Sequence, residues 1–144
     1  MLEVKIKSKK TNIRVLNEND EVLGILSFYP TDLELPKRAE IGHDKIEELI
    51  RQVKDNSMNL SKEEFLDSMH ELNEKTKELL NYIFDDDIGQ LFGNTSMFTP
   101  TSDGTLLVEN ILDGVLPVVT EQIEKNMNKS SENMRKYLED YEKK

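Results

Sequence analysis

Apolar and charged residues alternate from Leu2 to Lys7 (LEVKIK), the two-residue period of a strand with one buried face. Ile13 and Val15 lead into the turn-forming cluster Asn17-Glu18-Asn19-Asp20, and VLGILSF, Val22 to Phe28, supplies a further apolar run. These runs predict a small antiparallel β-meander ending at Tyr29-Pro30, with Gly24 marking a bulge in its last strand.

Beyond Pro30 the period lengthens. Ile41, Ile46, Leu49, Ile50 and Val53 recur at helical spacing behind Pro36, which suits a helix's first turn. A helix from about Leu35 to Lys54 follows, with Gly42 as its weak point. Ser61-Lys62-Glu63-Glu64 fits a capping box, in which the hydroxyl and the Glu carboxylate satisfy free amides reciprocally. Phe65, Leu66, Met69, Leu72, Leu79, Leu80 and Ile83 then carry a second helix to about Phe84. After a polar loop, Asn94 to Ser102, Asp103 is placed to cap a third long helix with Leu107, Ile111, Val115, Val119, Ile123 and Met127 spaced by four. Pro117 removes the hydrogen bond to the carbonyl of Asp113 and predicts a bend beside Gly114. Past Met127 only Met134, Tyr137, Leu138 and Tyr141 offer apolar contacts, so a frayed or partner-dependent terminus is expected.

The pattern defines an α+β fold: a small N-terminal antiparallel β-meander followed by a mainly α-helical domain with a long, Pro-bent C-terminal helix. Residues 1–30 form the meander and 31–127 the helical core of the same domain, with 128–144 as a polar, partly flexible tail. A chain of 144 residues suits one such domain. Its 36% apolar and 33% charged content is a lean supply of core material, which makes partner surfaces part of its stability.

Charge narrows the partner class. A net charge of −10 disfavours a nucleic-acid backbone. The first fourteen residues run the other way: Lys5, Lys7, Lys9, Lys10 and Arg14 oppose only Glu3, as on a solvated or edge-protected sheet face. The absence of cysteine excludes disulfides and thiol chemistry. No apolar run is long enough to span a bilayer, and the N-terminus lacks the apolar region of a signal peptide. A soluble, intracellular protein is expected.

The densest candidate for chemistry is FDDDIGQLFGN, Phe84 to Asn94. As an EF-hand starting at Asp85 it fails, because Gly89, Gln90 and Ser96 stand where its fifth, sixth and twelfth residues belong. Asp85 and Asp87 remain as a DxD pair for a divalent ion, a pattern common by chance in acidic chains. A structural role explains more: Asp87 capping a short turn Ile88 to Phe92, Gly89 permitting close packing, and Gly93 ending the turn in a left-handed conformation. Phe84, Ile88, Leu91 and Phe92 would point inward, and the segment would be a junction and hinge between the helical core and the last helix. His43 and His70 show no metal-site spacing, and no nucleophile elbow, phosphate loop or dinucleotide fingerprint is present. No catalytic, metal or cofactor residue is therefore assigned. In FYPTDLELPKR, Phe28 to Arg38, Arg38 can pair with Asp32 or Glu34 at a strand exit and helix start.

The order of these features resembles the tail assembly chaperones of long-tailed phages and prophages of Gram-positive bacteria. The resemblance spans about Asn12 to Lys125 and rests on short structural motifs. Chief among them is an apolar-Asp-x-x-x-Gly-x-x-Phe-Gly pattern before the final helix, supplied here by Ile83 or Phe84, Asp85, Gly89, Phe92 and Gly93. It implies a non-enzymatic factor of the bacterial host cytoplasm, absent from the mature virion. Such a factor coats the tape measure protein, and in many relatives a frameshifted form recruits the major tail tube protein. It also implies a homo-oligomer, a spiral or ring, with no nucleic acid, membrane or cofactor. Phe84, Ile88, Leu91, Phe92, Leu107, Ile111, Val115, Val119 and Ile123 are then the candidate partner-binding residues. Lys5, Lys7 and Lys9 are the candidates for self-association with a neighbour's acidic helices. The competing class is a small acidic DNA mimic that inhibits a nuclease or repressor; mixing of lysines among the acids, as in EELIRQVKD, counts against it.

Overall fold

The computed structural model describes the backbone of residues 1–142 and their side chains, except those of Ser130, Ser131, Asn133, Met134, Tyr137, Tyr141 and Glu142. Two strands, β1 (Thr11–Leu16) and β2 (Val22–Phe28), form an antiparallel hairpin. They are followed by helices α1 (Leu35–Asn59) and α2 (Lys62–Phe84), a short 3-10 turn (Ile88–Phe92), and α3 (Leu107–Glu142). The α+β class is as the sequence pattern predicts.

The hairpin turn is made by its Asn. Asn17 Oδ1 accepts the amides of Asn19 at 2.9 Å and Glu21 at 3.1 Å, and Asp20 takes a positive φ of 62°. Val15 pairs with Gly24 but Leu16 with Val22, so Leu23 is the extra residue of a bulge beside Gly24. Ile13, Val15, Leu26 and Phe28 face the helices. The meander's first strand does not form: residues 1–10 hold no strand and are exposed throughout. Lys10 Nζ sits 5.2 Å from the ring centroid of Tyr29, next to the Thr11–Phe28 pair, and the chain before it bends at Lys7, where the Ser8 amide donates to the Ile6 carbonyl at 2.8 Å, without pairing along β1. Lys7-Ser8-Lys9-Lys10 offers none of the Gly, Asn or Pro residues that make a tight reversal cheap.

α1 and α2 form an antiparallel pair joined by Leu60 and Ser61. Pro36 occupies the first turn of α1, whose buried positions Leu35, Ala39, Gly42 and Ile46 follow helical spacing. The helix runs on to Asn59, past Lys54, because its polar end is held: Asn56 Nδ2 donates to Ser68 Oγ at 2.5 Å on α2. Gly42 is a contact point, not the weak point expected. A Cβ there would lie 2.4 Å from Ile83 Cγ1, so only a glycine lets the two helices approach this closely. Ser61 caps α2 by accepting the Glu64 amide at 3.3 Å.

The core joins all elements: Leu26 and Phe28 from β2, Leu35 and Ile46 from α1, Leu80, Ile83 and Phe84 from α2, then Ile88, Met97, and Val108, Leu112, Val119 and Ile123 from α3. Asn73, buried on α2, accepts the Met97 amide at 2.7 Å and pins the connecting loop. α3 starts at Leu107, with the Leu106 amide donated to Glu109 Oε1 at 3.1 Å, so Asp103 is not its cap. Asp103 instead closes the preceding turn, accepting from Thr101 Oγ1 at 2.5 Å and the Thr105 amide at 3.1 Å beside Gly104, whose φ is 87°. α3 continues through Pro117, where Thr120 Oγ1 donates to the Leu116 and Pro117 carbonyls at 3.0 and 3.1 Å. Of the apolar residues expected at the terminus, Leu138 is exposed, and the side chains of Met134, Tyr137 and Tyr141 lie outside the described residues.

Candidate functional site

The aspartates after Phe84 are used to join elements. Asp85 ends α2 in the left-handed conformation, φ 53° and ψ 42°. Asp86 Oδ2 accepts the Ser27 amide at 2.9 Å on the outer edge of β2, and its Oδ1 accepts the Asp87 amide at 2.8 Å. Asp87 makes no capping bond to the 3-10 turn; its Oδ1 accepts from Asn81 Nδ2 at 3.3 Å. Asn81 does the capping expected of Asp87, because α2 lies alongside the turn and carries its Oδ1 to within 3.3 Å of the Gly89 amide. Gly89 packs closely on the Lys77 stem, 3.3 Å from where a Cβ would stand. Gly93 has a positive φ of 58° but ψ of −130°, outside the left-handed helical region expected for it.

Among the described residues, the group of three or more possible metal ligands within 4.8 Å is His43, Asp44 and Glu47, all exposed. His43 does have a partner at helical spacing, contrary to expectation: Glu47 Oε1 lies 3.6 Å from its Nε2. These contacts are those of a solvated helix face.

A buried-edge latch replaces the alternative pairings of Arg38. Its Nη2 donates to Asp32 Oδ2 at 2.6 Å, and its Nε points at the Tyr82 and Ile83 carbonyls at 2.9 and 3.2 Å, at the C-terminal end of α2. Burial pushes the Asp32 carboxyl up, but the Arg38 hydrogen bond, the Glu34 amide and the Arg38 charge together hold it below the usual carboxylate range.

A groove of about 890 Å³ lies between β1, the 3-10 turn and the first turns of α3. Ile13, Val15, Leu91, Phe92, Leu107, Ile111, Val115 and Val118 line it. Glu18, Asp103 and Asn110 stand on its rim, and Ser102 Oγ donates to Glu18 across one end. Hydrogen bonds from Thr101, Thr105 and Asn110 hold the exposed Asp103 carboxyl far below its ordinary range, so the rim stays anionic. An apolar floor with a charged rim accepts an apolar helix face or strand.

The candidate partner residues divide in two. Leu91, Phe92, Leu107, Ile111 and Val115 line the groove. Phe84, Ile88, Val119 and Ile123 are buried in the core and reach no partner. The reason is geometric: spacing by four advances about 40° beyond a full turn per step. The series from Leu107 to Ile123 therefore begins on the groove side of α3 and ends on the core side. Val118, 44% exposed and lining the groove, continues the groove stripe three residues after Val115 and was not among the candidates. Ile13 and Val15 were recognised only as strand residues. Lys5, Lys7 and Lys9 lie on exposed coil, not on a sheet face.

Among the described residues no helix is long and apolar enough to cross a membrane. Comparison with known proteins finds no matching family model, curated protein or solved structure.

Proposed function

We propose that this chain is a non-enzymatic assembly factor of the phage tail chaperone type, which binds apolar helical segments of a tape measure protein and keeps them soluble in the bacterial host cytoplasm. Recruitment of major tail tube subunits belongs to the same reading. The observation that carries it is the groove beside α3, in which Leu91, Phe92, Leu107 and Val115 are only partly buried and Val118 is exposed. A holdase needs such a surface inside a strongly charged body, and the net charge of −10 keeps a coated complex dispersed. Lys5, Lys7 and Lys9 supply charge complementary to a neighbouring copy's acidic helices, consistent with a homo-oligomer coating a long client.

The test is co-expression with the long helical protein encoded downstream in the same genetic neighbourhood. The client is expected to be insoluble alone, and soluble and co-purified with the native chain. Val115→Glu, which places a charge in the groove, should keep the helical circular dichroism spectrum and lose the client. Equal rescue by the variant, or a neighbourhood without such a reading frame, would sink the reading.

A further inference from the structure

The hairpin has one occupied edge and one open edge. On β2 the outward-facing Ser27 amide is taken by Asp86. Antiparallel pairing places the amides of Asn12 and Arg14 on the opposite, outer edge of β1, since Asn12 faces Ser27 and Arg14 faces Ile25 in non-hydrogen-bonded positions. Among the described residues these two amides have no backbone partner. This open edge forms one wall of the apolar groove, through Ile13 and Val15.

The same chain carries an unused strand. Leu2, Val4 and Ile6 are 99, 84 and 79% exposed, and they alternate with Glu3, Lys5 and Lys7. An extended segment with one apolar and one charged face is what an open edge beside an apolar groove accepts. We propose that Leu2–Lys7 of one copy adds as a third strand to the β1 edge of a second copy, with Leu2, Val4 and Ile6 over the groove and Glu3 opposite Arg14. The reading that copies associate underlies this proposal; the identity of any client does not.

A second copy is the better donor on three grounds. The chain's own segment is exposed and unpaired, with Lys10 set against Tyr29. Folded back through a two-residue turn, it would set Lys5 opposite Arg14, and through a three-residue turn it would set Lys5 against Ile13 and Glu3 against Val15. A four-residue turn cures both faults but crowds Lys7, Lys9 and Lys10 into the reversal without a glycine or asparagine. From another copy none of these restraints applies, and the four lysines of the donor arm meet a body whose charge is strongly negative. Each copy then donates one strand and accepts one, a heterologous contact that propagates from copy to copy. The added strand and an apolar client share the groove, so the strand is what an incoming client displaces.

The experiment is light scattering coupled to size exclusion on the purified chain alone, over a range of concentrations. The native chain should gain mass with concentration. In the antiparallel register that sets Glu3 opposite Arg14, the Glu3 amide donates to the Arg14 carbonyl, so Glu3→Pro, in exposed coil, leaves the fold untouched yet should weaken association by about tenfold or more. Arg14→Pro, on the outward side of β1, should do the same, and a mixture of the two variants should give a one-to-one complex that grows no further. A native chain that stays monomeric overturns the proposal. So does unchanged association of Glu3→Pro. If the triple change of Lys5, Lys7 and Lys9 to Glu abolishes association while Glu3→Pro does not, the copies meet through charge alone and strand addition is wrong, with the client reading left standing.

Discussion

Replacing Gly42 by alanine sets helix propensity against packing at one atom. In a solvated helix interior this change is worth about 0.8–1.0 kcal/mol in favour of Ala. At Gly42, however, the new Cβ would stand 2.4 Å from Ile83 Cγ1 and 2.5 Å from its Cδ1. Ile83 has no exposed surface and cannot swing aside, so α1 and α2 must separate or Ile83 must leave its rotamer. Overpacking of this kind costs about 1–3 kcal/mol, which exceeds the propensity gain. Gly42→Ala should therefore lose up to about 2 kcal/mol in urea unfolding followed by far-ultraviolet circular dichroism. Gly114→Ala is the control: it lies inside α3 with nothing within 4 Å of its Cβ position, and should gain about 0.5–1 kcal/mol. In an Ile83→Ala background, itself costing about 2–5 kcal/mol, Gly42→Ala should become neutral or stabilising. If Gly42→Ala stabilises the native background as Gly114→Ala does, the close crossing of α1 and α2 is wrong.

The Arg38 latch makes stability depend on pH. Because the Asp32 carboxyl is held below its ordinary value, its contribution is present above that value and is lost as pH falls through the folded-state value. Asp32→Asn should cost about 1 kcal/mol at neutral pH, after allowance for solvent screening, and the two urea stability curves should converge in acid; parallel curves would refute the assignment. Changing Asp85, Asp86 and Asp87 together to Asn should alter stability by less than about 1 kcal/mol, since an amide oxygen still accepts the Ser27 amide, whereas Phe84→Ala should cost about 3–5 kcal/mol. The reverse ranking in urea unfolding would mean the acidic segment is a charge-dependent site. Val118→Glu should stay within about 0.5 kcal/mol of the native chain and remain folded, while Val119→Glu, with no exposed surface, should unfold it on thermal melting.

Period and punctuation made the helices legible. Pro36, Ser61 and the apolar spacing placed the starts of α1 and α2, and Phe84 the end of α2, because local signals decide helix ends. The start of α3 was misplaced for the converse reason. Asp103 is a good cap in isolation, but Thr101, Thr105 and Asn110 recruit it to a turn. Gly42 read as a weakness because composition shows a missing side chain and not the Ile83 that fills its place. Strand formation failed at LEVKIK since alternation specifies a face but not a partner. Half of the candidate site was legible for a related reason: burial of Phe84 and Ile88 depends on what packs over them, and nothing local distinguishes a residue that faces the core from one that faces a groove.

α3 shows why the groove is more than leftover surface. Leu107, Ile111, Val115 and Val118 make one apolar stripe, and Val108, Leu112, Val119 and Ile123 make another, one residue on. At about 100° per residue the first stripe covers about 80° of the helix and the second about 60° immediately beside it, so together they make one apolar arc of about 160°, wider than one contact uses. A single core contact needs only one of them. The core closes completely on the second, where Val108 and Val119 have no exposed surface, while Val118 on the first remains 44% exposed. An isolated globule with only 36% apolar residues would bury its scarce core material first, and the stripe left open is the surface that the proposed client or second copy would cover.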